Sequence, residues 1–198
     1  MRSARRLLPL TFGLGALLAL PSVAQAHVGI GSTVGFFDGV AHPFSGLDHI
    51  CAMVGVGLWA AQRGGRAVWL MPIAFILVMA AGGLLGMAHL FIPFVEPGII
   101  ASVFVLGLLV AAAVRLPLAA STCLVGLFAL FHGHAHGAEI PNSVGGFAYG
   151  LGFIASTMIL HCCGLRLGIA TQRVSSGWLT QCAGGAMIAC GFALCVLY

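Results

Sequence analysis

Six apolar stretches, at about 43–62, 67–90, 98–114, 117–136, 146–170 and 177–197, fill nearly all of the chain beyond its first 26 residues. Each is near the length that crosses about 30 Å of hydrocarbon at about 1.5 Å per residue. The breaks between them are short and carry turn residues: Arg63-Gly64-Gly65-Arg66, Pro93 to Pro97, Arg115-Leu116-Pro117, Pro141-Asn142-Ser143 and Arg173 to Gly177. No second domain fits between them. Composition closes the other routes: 61% of the 198 residues are hydrophobic and 6% are charged, against about 25% charged in a soluble domain. Such a chain cannot cover a water-soluble surface, and it is far too apolar for intrinsic disorder. It contains no lysine and no basic patch, which excludes nucleic-acid binding. The expected fold is all-α, a polytopic membrane bundle of six transmembrane helices.

Residues 1–26 read as an export signal. Arg2, Arg5 and Arg6 form a basic head, Leu7 to Leu20 an apolar segment too short to span, Pro21 a break, and Ala24-Gln25-Ala26 a cleavage site. The mature domain then covers residues 27–198. Cleavage leaves an amine and an imidazole together on His27, a pair able to chelate a metal. An uncleaved additional helix is the competing reading of this segment.

With the mature amino terminus outside, the loops holding Arg63, Arg66, Arg115 and Arg173 all fall on the cytoplasmic side, and Arg166 sits near that end of the fifth span. Asp38, Glu96 and Glu139 fall outside. Every arginine of the mature chain thus obeys the positive-inside rule, independently of the export signal. Small residues at Gly55 and Gly57, Gly82 and Gly86, Gly146 and Gly150, and Gly184-Gly185 read as close-packing positions between helices.

On this topology the polar side chains collect at the outer face. His27, His42, Asp48 and His49 lie at the start of the first span, His89 at the end of the second, and His132, His134, His136 and Glu139 at the end of the fourth. His161 alone lies near mid-span, in the fifth. Ionisable groups in a membrane are costly and mark function. A lone interfacial histidine is usually a satisfied polar residue, but a set supplied by several helices points to metal. Pro43 suits a first helical turn, which places His42 near the N-cap and Asp48 and His49 deeper in the same helix. Helical spacing puts His132, His136 and Glu139 on one face and His134 on the opposite one, while Gly133 and Gly137 would permit local unwinding at a polar cavity. Imidazole with carboxylate suits Ni, Co, Cu or Zn and disfavours the hard cations. Cys51 and Met53 could add soft ligands for Cu(I). The seven cysteines form no C-x-x-C pair, however, and in apolar helices such residues act as small core side chains. Their odd number argues against a fully paired disulfide framework.

At these two motifs the sequence resembles the HupE/UreJ family, membrane proteins associated with hydrogenase and urease maturation and regarded as nickel permeases. The pattern H-x5-D-H matches His42, Asp48 and His49. The pattern F-H-G-x-[AV]-H-G-x-E matches Phe131, His132, Gly133, Ala135, His136, Gly137 and Glu139. His134 occupies a variable slot and takes no role from the resemblance. A cleavable signal followed by six spans also agrees, so the likeness covers essentially the whole chain. It implies a bacterial inner-membrane permease, not an enzyme, which carries Ni2+ or Co2+ as cargo and holds no prosthetic group. Asp48, His49, His132, His136 and Glu139 would form the selective site, with His27 and His42 as capture ligands and His161 as an inner relay. No nucleotide-binding G-x-x-x-x-G-K-[ST] motif is present, so a gradient, intracellular trapping or a partner must supply the driving force. Two other classes fit the same polar residues: an intramembrane zinc hydrolase with Glu139 activating water, and a haem-binding electron carrier.

Overall fold

The computed structural model describes residues 35–141, 143–175 and 177–197, and all regular structure among them is helical. The proposed signal segment and His27 lie outside the described residues. The elements are α1 (Phe36–Ala41), a 3-10 turn (His42–Phe44), α2 (Leu47–Arg63), α3 (Ala67–Met87), α4 (Val95–Ala111), α5 (Leu118–Glu139), α6 (Val144–Ser175) and α7 (Trp178–Leu197). Among the described residues four helices are long and apolar enough to cross a membrane: Ala67–Met87, Leu118–Glu139, Gly145–Val174 and Trp178–Leu197. Phe36–Phe44 and Leu47–Arg63 pass the same test only together, as a pair bent by 82°. Val95–Ala111 is apolar but holds 17 residues, about 25 Å of helix. The architecture is therefore an all-α membrane-type bundle with four or five candidate spans.

The bend corrects the expectation for the first span. Pro43 occupies the first positions of the 3-10 turn rather than of the long helix, which begins at Leu47 with Gly46 as an extended N-cap. His42 therefore approaches the site from a separate, steeply inclined segment. Asp48 falls in the first turn of α2, where the helix dipole favours an anion.

Three helix pairs carry the packing: α3 with α5, α2 with α6, and α4 with α7. In the first pair the backbones nearly touch. A Cβ on Gly133 would collide with the Met79 carbonyl oxygen, one on Gly137 with that of Gly83, and one on Gly86 with that of His134. The local unwinding that Gly133 and Gly137 would permit does not occur; α5 runs unbroken through both, and the missing side chains serve close approach instead. Of the other small-residue positions, Gly57 meets the His161 carbonyl, whereas Gly150 and Gly185 face open space.

Helix ends have local causes. At the end of α3, His89 takes a left-handed φ of 53°, its N–H bonds to the Gly86 carbonyl and the Leu90 N–H to that of Leu85. This is a Schellman stop, normally given to glycine. At the opposite end of the bundle, Trp59 Nε1 donates to the Val114 carbonyl and Gln62 Nε2 to that of Val110, each at 2.9 Å, which ties α2 to the end of α4.

Candidate metal centre

Three imidazoles converge where the 3-10 turn, α2 and α5 meet. Donor nitrogens of His42, His49 and His136 all lie within 4.8 Å of one another. Nitrogens bound at about 2.0–2.1 Å to one tetrahedral ion sit about 3.4 Å apart, so small ring rotations would bring the three onto a common cation. His49 is fully buried and His136 nearly so. Their rings pack 4.6 Å apart, and Nε2 of one points at Nε2 of the other.

Asp48 sets the chemistry of this pair. Its Oδ1 accepts a hydrogen bond of 2.8 Å from Nδ1–H of His49, which leaves the His49 lone pair on Nε2, facing the other rings. A carboxylate behind a ligating imidazole fixes both tautomer and orientation and raises ligand basicity. Glu139 stands in a comparable place behind His136, with Oε2 3.8 Å from Nδ1, but is 36% exposed and so sits at the rim.

The remaining expected site residues separate by depth. His132 is fully buried and one turn of α5 from His136; its Nδ1–H donates to the Phe128 carbonyl at 2.9 Å, and its ring meets that of His49 edge-on at 5.6 Å. It adjoins the trio without joining it. His161 is buried deeper in α6, its ring 5.0 Å from Phe75, which also lies 5.9 Å from His132. Neither ring nitrogen of His161 has a hydrogen-bond partner among the described residues. His134 points away and donates through Nε2 to the Leu90 carbonyl at 2.6 Å, and exposed His89 serves the helix stop. Both serve the α3–α4 connection rather than the centre, His89 from within it and His134 from α5.

The walls are aromatic, which sequence reasoning missed. The Phe153 ring lies 4.8 Å from His136 and 5.8 Å from His42, and Tyr149 lies 5.9 Å from His42 with a buried hydroxyl that has no partner among the described residues. A tyrosine inside an apolar run, in a chain holding only two, was the available signal. An apolar cleft of about 200 Å³ between α3, α5 and α6 reaches this wall at His136 and Phe153.

An imidazole trio, two of its rings buried and His42 half-buried, braced by a carboxylate, occupies the positions of the H-x5-D-H and F-H-G-x-[AV]-H-G-x-E motifs. The family model described as HupE / UreJ protein matches residues 15–194. The chain belongs to the HupE/UreJ family. Among its relatives, the Protein HupE of Rhizobium leguminosarum bv. viciae is 49% identical over 181 residues, covering 91% of this chain and 94% of the relative. No solved structure gives a significant match. Membership of the HupE/UreJ family agrees with the resemblance carried by the two motifs.

Proposed function

We propose that this chain is a bacterial inner-membrane permease that imports Ni2+, with Co2+ as a second cargo, from the periplasm for hydrogenase or urease metallocentre maturation. The supporting observation is the His42–His49–His136 cluster, buried at His49 and His136, with Asp48 behind it. It lies at the end of the bundle opposite Arg63, Arg115 and Arg173, as outside-to-inside capture requires. In this reading α4 completes a set of six spans, the bent α1–α2 unit forms the first, and a cleaved signal leaves His27 as an external capture ligand. Asp48, His49, His132, His136 and Glu139 make the selective site below His42, and His161 receives the ion farther in. Staged replacement of ligands lets binding remain weak enough for release. The protein acts as a carrier, with the ion as cargo rather than cofactor.

A zinc hydrolase would need Glu139 beside a metal-bound water. Glu139 instead stands at Nδ1 of His136, while Nε2 of that ring faces the trio. That placement favours transport.

The test is uptake of radioactive nickel by cells lacking other nickel importers, with cobalt, zinc and copper as competitors. Uptake should depend on this protein and be lost in Asp48→Ala and His49→Ala variants that still reach the membrane. Normal uptake by both variants would remove the site assignment, and uptake independent of the protein would remove the function.

A further inference from the structure

A second group of ligand-type side chains lies outside the imidazole centre, on the seam between α2 and α7. Five of the seven cysteines, at 123, 162, 163, 182 and 195, are exposed on the outside of the bundle. The other two meet across the seam, with Cys51 Sγ donating to Cys190 Sγ at 3.6 Å. Cys51 is half-buried and Cys190 is buried. A third sulfur lies along the same seam. Met187 precedes Cys190 by one turn of α7, and its Sδ comes within 3.3 Å of where a Cβ on Gly55 would stand. Gly55 itself is one turn beyond Cys51 on α2. The absent side chain at Gly55 is what lets the thioether reach α2.

We propose that Cys51 and Cys190, with Met187 as a neighbouring thioether, form a binding site for a soft monovalent cation of the cuprous type, separate from the imidazole centre. The separation of the sulfurs fits. Two thiolates held about 2.3 Å from a shared ion at a tetrahedral angle lie about 3.8 Å apart, close to the 3.6 Å found here. The donor set fits as well, since thiolate and thioether select Cu(I), whereas the imidazoles of the other centre suit divalent borderline ions. Taking the ion between two thiolates releases both thiol protons to water, and the occupied site carries one negative charge where the empty pair carried none. Asp48, one turn before Cys51 on α2, places a carboxylate where an arriving cation is attracted. The half-buried Cys51 provides the way in.

Silver ion is the probe, added to the purified full-length protein in detergent without added thiol, with bound silver counted by elemental analysis after desalting. The background is a variant whose five exposed cysteines are replaced by alanine. One silver per chain is expected. It should be lost, with at least a hundredfold weaker binding, in Cys51→Ser and in Cys190→Ser, and retained in a His49→Ala, His136→Ala double variant. Met187→Leu should weaken it about tenfold. Melting temperatures monitor folding. If the stripped background does not fold, the native chain is compared with its Cys51→Ser, Cys190→Ser form, where the expected difference is one silver. Undiminished binding in both serine variants, loss of the silver in the histidine variant, or isolation of the pair as a disulfide would each overturn the proposal.

Discussion

At the scale of single residues, the centre is a division of labour around one ring. His49 supplies the lone pair and Asp48 decides which nitrogen carries it. Asp48→Asn keeps the size of the side chain and removes the charge, so the protein should fold and insert while nickel binding weakens about 10–100-fold; titration calorimetry on the purified variant measures this. His161 poses the opposite case, a buried imidazole with both nitrogens unpartnered among the described residues. An unsatisfied polar group costs about 1–3 kcal/mol. His161→Leu should therefore leave the melting temperature unchanged or raise it. If the ring relays the ion, nickel uptake falls at least tenfold in the same variant, and a stable variant with full uptake would strip His161 of that role.

The helices show why a pattern of residue types does not settle its own use. Gly133 and Gly137 interrupt a histidine motif, and on the sequence alone they read as places where the helix could open. They are instead contact points, because α5 lies against the backbone of α3 at Met79 and Gly83. Association of helices in lipid rests on such close packing, as apolar burial offers little drive there. Gly137→Leu should force α5 off α3 and destabilise the protein by roughly 1–3 kcal/mol. The same displacement moves His136, so nickel binding should fall together with the melting temperature. Loss of binding with an unchanged melt would place Gly137 in the site rather than in the packing. The α1–α2 unit carries the complementary lesson. Pro43 announced a helix start correctly, yet for a three-residue turn; the 82° bend that aims His42 at His49 and His136 depends on how α1 packs against α6.

Over the whole molecule, the chain threads back and forth so that the arginine loops share one end and the imidazole centre the other. Reporter fusions read this directly. An alkaline phosphatase joined after Pro93 or Pro141 should be active, as periplasmic exposure requires, and inactive after Gly65, Arg115 or Arg173. The reverse pattern would turn the proposed import route around. The membrane class, the gathering of the arginine loops at one end of the chain's back-and-forth path and the few side chains able to hold a metal were legible in the sequence, because hydrocarbon penalises every polar group and leaves few to interpret. Tertiary structure alone decided which of them converge. His42, His49 and His136 form the cluster, His132 stands beside it, Glu139 lies at the rim, His134 and His89 serve the α3–α4 connection, and Cys51 finds Cys190. Those outcomes depend on the distance and rotation between helices far apart in sequence, and helical periodicity, which repeats every 3.6 residues within one helix, carries no record of either.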